Sequence, residues 1–425
     1  MASTSRQNHL QWFATIGAIL VGFLFLTNWP TYHFLILGGP IALYYYLIPG
    51  LLVIPLVWVR PDTLRRFLRE PSLIWFVFYV LSGLLWLLFA DGYLDEVNRQ
   101  WRLRFLSFFF FCTGLVLTSE SEHNKVAWAI VACAVLASIT YWLDFLFPFQ
   151  FVPLGVEGSN PGRGAGFFIN ANAAGYSVIV MCIAAMPFVA MRFRLLVVLV
   201  MLTGVVPTFS RSAILFAGIV VLLWFFFKQL ERRQILIFAA LAPIIIFGGL
   251  ILFQFGLDAE GANTINLTER ISFFSSTGED VYDDSAEARR YVANLAWQMF
   301  ENSLLVGNGI GSTVTWGASE STHNMYLLLL AEQGIFGGML YLTFIYIVLF
   351  RGLRLLKSGV GRQEKDIGLA LMLFGIYYTL VGLFSHNLLE DPYTLFLLAY
   401  LFTAELNARR VVRHRMNATG YAHTF

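Results

Sequence analysis

Charge is scarce in this sequence. Asp, Glu, Lys and Arg make up 13% of its 425 residues, where a soluble domain carries roughly 25%. Cysteine is almost absent too. Cys112, Cys133 and Cys182 each fall inside an apolar run, which excludes a disulfide framework and reads as small core residues. Several motifs are missing: a Walker A loop, an acidic pair in a basic setting, and any His, Cys and carboxylate cluster at metal-ligand spacing. No metal, cofactor or nucleic-acid partner is expected. The first apolar stretch has no small-residue cleavage site and reads as a first span, not a signal peptide.

What remains is apolar. Hydrophobic residues are 58% of the chain, with 41 Phe, 18 Tyr and 11 Trp, and mean hydropathy is +0.69. The expected fold class is an all-α polytopic membrane protein, because in lipid every backbone polar group has to be satisfied within the segment. Apolar runs between charged breaks predict about twelve transmembrane helices, at 11–27, 33–59, 73–90, 103–118, 126–147, 171–191, 194–208, 211–228, 234–256, 324–350, 367–384 and 392–406. The 33–59 run carries Pro40, Pro49 and Pro55. It reads either as one kinked helix or as a span plus a re-entrant piece.

Basic residues orient these spans. Arg60, Arg65, Arg66, Arg69, Lys125, Arg192, Arg194, Lys228, Arg232, Arg233, Arg351, Arg354, Lys357, Arg362 and Lys365 fall on one set of loops, with Arg6 and Arg409, Arg410, Arg413 and Arg415 near the termini. By the positive-inside rule that face and both termini are cytoplasmic, and the tail "NARRVVRHR" anchors at an anionic inner leaflet. Arg99, Arg102, Arg104, Arg163, Arg211, Arg270, Arg289 and Arg290 then lie at the outer face. The organisation is spans one to nine over 1–256, a large outer loop over 257–322 that contains helical spacing, and spans ten to twelve with the tail over 323–425.

The outer-face exceptions are the functional candidates. His323 opens "HNMYLLLLAEQGIFGG", just after the large loop, with Asn324 beside it. It reads as a general base or, more plainly, as an interfacial helix start. His386, in "SHNLLED", is a weaker version of the same pattern. Arg211 in "FSRSAIL" reads as an anion site at a helix start, with Ser210 and Ser212 adding hydroxyls, or as a snorkelling anchor. Arg289 and Arg290 follow the acidic run and read as phosphate forks or as partners of Glu287, Asp283 and Asp284. Arg163 in "NPGRGAGFFINANAAGY" is a further outer cation, beside Asn170 and Asn172, where a turn and helix cap is the plain reading. "YDD" at 282–284 reads as a solvated acidic face. Glu332 and Gln333, with Gly334, Gly337 and Gly338, read as close helix packing or a kink.

Three pieces together resemble the O-antigen ligase and polymerase superfamily of bacterial cell envelopes: "FSRSAIL", "SAEARRYVANLAWQMFENSLLVGNGIGS" and "HNMYLLLLAEQGIFGG". "GFFINANAAG" is similar to that family's entrance to an earlier span. One departure is Ser303-Leu304-Leu305, where the family has a proline before its G-x-G turn. The resemblance implies a GT-C-like membrane fold in the bacterial inner membrane, with the large loop and active site facing the periplasm. It implies inverting, metal-independent transfer of a glycan from undecaprenyl diphosphate to a sugar hydroxyl of lipid A–core. In that reading His323 activates the hydroxyl, Arg211 and Arg289 hold the diphosphate with Arg290 as the alternative, Arg163 assists, and Asn324 and Ser210 support. A repeat-unit polymerase shares the motifs. So does a protein O-oligosaccharyltransferase, disfavoured because the chain stops soon after the twelfth expected span. A flippase for lipid-linked glycans is the reading from another class, disfavoured because the cations cluster on one face.

Overall fold

A computed structural model describes residues 2–39, 43–62, 67–68, 70–90, 94–147, 150–153, 156, 162–241, 284–316, 322–358 and 361–418. Among these residues the ordered elements are helices, with no strand. We number them α1 (Ala2–Leu26), α2 (Trp29–Leu35), α3 (Leu43–Val59), α4 (Pro71–Trp86), α5 (Leu94–Ser119), α6 (His123–Leu146), α7 (Ala171–Ala185), α8 (Arg194–Val205), α9 (Arg211–Phe226), α10 (Asp284–Asn302), α11 (Met325–Ser358), α12 (Arg362–Val381) and α13 (Pro392–Ala418). A helical segment at 232–241 follows α9.

Seven helices are long and apolar enough to cross a membrane: Asn8–Leu26, Pro71–Phe89, Val97–Ser119, His123–Leu146, Ala171–Phe188, Met191–Thr208 and Met325–Ser358. Tyr45–Val59 and Arg211–Phe226 are apolar but shorter. The chain is thus a multi-pass helical membrane protein, and seven such helices stand among the described residues where twelve spans were expected. Part of the gap is physical. Helices α12 and α13 occupy the last two expected spans, but α12 opens on "RQEKD" and α13 ends in "NARRVVRHRMNA". Most of the expected ninth span, and residues 257–283 and 317–321 of the expected loop, Arg270 and Asp283 among them, lie outside the described residues.

The 33–59 run is not one span. It divides into α2 and α3, and Gly38 between them has φ 65°, which leaves the helical region. Pro49 and Pro55 lie inside α3. The long apolar side chains left outside the packing fit the same reading. Trp58, Leu88, Leu222 and Phe226 are exposed, and in a bilayer such side chains meet lipid tails instead of water.

Two compact units are present: Met1–Val21, Tyr45–Val126 and Ser285–Phe425 in the first, Gly22–Tyr44 and Ala127–Asp284 in the second. In the first, α11 packs along α12, α13 on α5, and α4 on both α5 and α11. Small residues allow the approach. A Cβ on Gly352 would stand 2.5 Å from the Met372 nitrogen, and one on Gly114 2.9 Å from the Ala399 Cβ. Such backbone proximity is what holds helices together where lipid removes the hydrophobic drive. Hydroxyl pairing adds to it, with Thr118 and Thr403 Oγ1 atoms 3.0 Å apart. One end of this unit carries a buried ion cluster. Arg351 donates to Glu70 at 3.0 Å and to Glu405, and Arg409 pairs with Glu405 as well. In the second unit α7, α8 and α9 pack on one another, and α2 rests on the turn at Gly166–Phe168.

Candidate active site

Three of the motifs singled out in the sequence share one local device. Ile169 has φ 64°, Phe209 φ 45° and His323 φ 45°. A positive φ is uncommon for a residue with a Cβ, and for bulky or β-branched residues it is a real outlier. Each of the three stands immediately before a residue at a helix start: Asn170 before α7, Ser210 before α9 and Asn324 before α11. The Asn170 side chain accepts the N–H groups of Asn172 at 2.9 Å and Ala173 at 3.3 Å. Asn324 Oδ1 accepts the Leu327 N–H at 3.0 Å. These caps satisfy amides that a helix start leaves without partners.

In the second unit the starts of α7 and α9 stand side by side. A Cβ on Gly175 would come 2.7 Å from that of Ala213, and the Tyr176 hydroxyl donates to Ser212 Oγ at 2.5 Å. Asn172 Oδ1 ties the two together, accepting Arg163 Nη2 at 2.8 Å and Ser210 Oγ at 2.8 Å. Arg163 Nε also donates to the Thr208 carbonyl at 2.7 Å, and the side chain is buried. Its charge thus knits the 162–166 turn onto the α9 entrance. That turn has a second anchor. Asp144 Oδ2, on α6, accepts the N–H groups of Ala165 at 2.8 Å and Gly166 at 3.0 Å. Arg211 is the first residue of α9 and is half-buried. Two helix N-termini and one half-open guanidinium therefore share this place, and aligned peptide dipoles there favour an anion.

In the first unit His323 is half-buried just ahead of α11. The Met325 N–H donates to the Gly382 carbonyl at 2.8 Å, and Tyr326 donates its hydroxyl to the Thr379 carbonyl at 3.0 Å. These bonds tie the start of α11 to the end of α12. The α12–α13 loop then brings His386 to His323, with ring centroids 5.7 Å apart and planes at 75°. Burial, with His323 beside it, lowers His386 to about 4. On the same loop, burial pushes the Glu390 and Asp391 carboxyls up to about 7. His323 therefore stands half-buried at the start of α11 with the His386 ring against it.

Arg289 and Arg290 are both exposed on α10. Val292 and Ala296 are its buried residues. At about 100° per residue, Arg289 lies roughly 60° from Val292 around the helix and Arg290 roughly 160°. Arg289 therefore flanks the packed face and Arg290 points away from it. The G-x-G turn needs no proline before it, because Ser303 Oγ donates to the Gly307 carbonyl at 2.8 Å and the Gly307 N–H to the Ser303 carbonyl at 2.9 Å.

"AEQG" is a break in α11. Gly334 has φ 61° and ψ −153°, a conformation for glycine alone, and a Cβ there would stand 2.5 Å from the Leu305 carbonyl oxygen. Sequence reading had the kink but not the role of Glu332. Its buried carboxylate takes Arg104 Nη2 at 3.2 Å, the Gly311 N–H at 3.0 Å and the Thr313 hydroxyl at 2.8 Å. An ionisable residue inside an apolar helix was the available signal, since such residues are expensive in a membrane without a partner. Asp144 has no such signal, because its hydrogen bonds to Ala165 and Gly166 across the chain leave no local pattern, and Asn172, placed at the span entrance by the sequence, gains its link to Ser210 only in the fold.

A family model described as O-antigen ligase matches residues 196–342. The match bears out the resemblance read from the sequence motifs, and it covers Arg211, Arg289, Arg290 and His323. No curated protein matches the chain.

Proposed function

We propose that this chain is an O-antigen ligase with a GT-C-like fold of about twelve spans. It would transfer a glycan from undecaprenyl diphosphate to a sugar hydroxyl of lipid A–core, at the periplasmic face of the bacterial inner membrane and with both termini in the cytoplasm. The observation that carries this reading is the family match over the segment that holds His323, Arg211 and Arg289.

The chemistry follows from the side chains. The acceptor hydroxyl loses its proton to the His323 imidazole as its oxygen attacks the anomeric carbon. The bond from that carbon to the diphosphate oxygen breaks on the opposite side, so the configuration inverts. Negative charge then grows on the departing lipid diphosphate. Arg211, at the start of α9, and Arg289, on the inner flank of α10, neutralise it, a task suited to the planar guanidinium fork. Arg163 and Ser210 act through Asn172, holding the α9 entrance in shape, and Asn324 holds the start of α11. In this reading Arg290, on the far face of α10, steers anionic donor toward the site.

The test is one incubation with two acceptors. Purified protein receives lipid-linked glycan together with either lipid A–core or excess donor. Glycan on the core is the expected result. Lengthened donor would make the chain a repeat-unit polymerase, and no product with either acceptor overturns the reading.

A further inference from the structure

The loop between α10 and α11 is built into the break of α11. Where that helix loses its own hydrogen bonds, the loop supplies others. The Ala331 carbonyl accepts the Asn308 N–H at 3.0 Å and Asn308 Nδ2 at 2.9 Å. The Glu332 carbonyl accepts the Gly309 N–H at 2.9 Å, and the Ile335 N–H donates to the Leu304 carbonyl at 2.9 Å. Asn308 Nδ2 also donates to the Met299 carbonyl at 2.9 Å, which joins the stitch to the last turns of α10. Trp86, at the end of α4, donates its indole N–H to the Val306 carbonyl.

The Glu332 carboxylate closes this assembly from inside. One oxygen holds the Gly311 N–H and the Thr313 hydroxyl, and the other holds Arg104 of α5. Arg104 and Glu332 are both buried. The guanidinium also lies 4.9 Å from the centre of the Tyr79 ring of α4. Three helices therefore hold one loop, α5 and α11 through the ion pair and α4 through the Trp86 indole. Burying both charges costs desolvation, which the geometry of the pair and its added hydrogen bonds have to offset.

What the loop joins gives the pair its consequence. Upstream lies α10, which carries Arg289. Across the break lies the first segment of α11, which begins two residues after His323. We propose that Arg104 and Glu332 are positioning residues that lock the 303–313 loop into the α11 break and so set where α10 presents Arg289 relative to His323. Neither residue touches the reacting groups. The catalytic half of this inference rests on the transfer reading above, and the positional half stands by itself.

The experiment separates the two. Spin labels are placed on exposed Gln298 of α10 and exposed Leu383, beside the Gly382 that receives the α11 start, with the three native cysteines replaced. Glu332→Gln keeps the size of the side chain and removes its charge. The expected result is a broadened or shifted distance distribution in protein that still inserts and elutes as one species. The kcat for glycan transfer should fall at least tenfold, while KM for the donor changes less than threefold. Thr313→Val removes one bond to Glu332 and no charge. It should shift both readouts the same way by less, and it carries the test if Glu332→Gln fails to fold. Arg104→Gln combined with Glu332→Gln should restore part of the narrow distribution, because no buried charge is then left alone. A distribution as narrow and centred as wild type in folded Glu332→Gln or Thr313→Val overturns the proposal, as does lost stability with an unmoved distribution. If wild-type protein transfers no glycan, the ligase reading fails and the distances alone decide the lock.

Discussion

The imidazoles of His323 and His386 meet edge to face, 5.7 Å between ring centroids, although 63 positions separate them in the chain. The end of α12 and the start of α11 bring them together, through the bond from the Met325 N–H to the Gly382 carbonyl. One histidine of the pair is held neutral, and this has a measurable sign.

Folded His386 takes up its proton only near pH 4, against an ordinary value of 6.5. The unfolded chain binds that proton first as pH falls, so between those values acid destabilises the fold. His386→Asn removes the effect. Melting temperatures at pH 7.5, 6 and 5 should show wild type losing stability relative to the variant below pH 6.5. A constant gap between the two proteins would contradict this.

Glu390 runs the other way. Its carboxyl is raised from 4.5 to about 7, by burial and with Glu332 and Asp391 adding to it against the pull of Arg104. The folded state holds this proton where the unfolded state has released it. The stabilisation is complete below pH 4.5 and is lost as pH rises through 7. Wild type should therefore lose ground to Glu390→Gln between pH 5 and pH 8 in the same melting assay. No change in the difference would rule out the raised carboxyl.

At the break of α11, Gly334→Ala places a Cβ against the Leu305 carbonyl in a backbone conformation that alanine resists. The expected loss is about 1–3 kcal/mol, read as a lower denaturant midpoint at unchanged slope. Gly338→Ala, where φ is not positive and the nearest atom is a Leu330 methyl, should cost less.

Next to Glu332, the amide of Gln333 is buried and has no hydrogen-bond partner among the described residues. A buried amide left in that state costs roughly 1–3 kcal/mol. Gln333→Met keeps the length of the side chain and removes the amide, so it should raise the melting temperature. A fall would show that the amide is satisfied in solution.

At the α7 and α9 entrances, Asn172→Ala takes away the one atom that Arg163 and Ser210 both use. Under the proposed function, affinity for lipid-linked donor should drop about tenfold, on the order of 1.4 kcal/mol. Asn170→Ala should cost mainly helix stability, about 1 kcal/mol for a lost cap. Equal effects of the two variants on donor binding, measured by equilibrium binding to detergent-solubilised protein, would refute the division.

Composition alone determined that this chain is a helical membrane protein, because so little charge and so much apolar surface has one physical outlet. Local spacing determined most helix positions, since a long apolar run between charges leaves lipid few alternatives. The resemblance carried by "FSRSAIL" and "HNMYLLLLAEQGIFGG" already pointed to the segment that the family model matches. Tertiary structure decided the rest. Gly38 divides one apolar run into α2 and α3, and α12 and α13 carry charged ends, so the number of apolar runs does not by itself give the number of long apolar helices among the described residues. Helix phase against Val292 and Ala296 distinguishes Arg289 from Arg290, and adjacent letters carry no phase until one face is packed. Glu332 looked like a polar interruption in "AEQG". Its meaning lies in Arg104, Gly311 and Thr313, which reach it only once α5 and the 303–313 loop have closed on the break. Hydrogen bonds made across the fold depend on three-dimensional proximity, which the order of residues along the chain does not display.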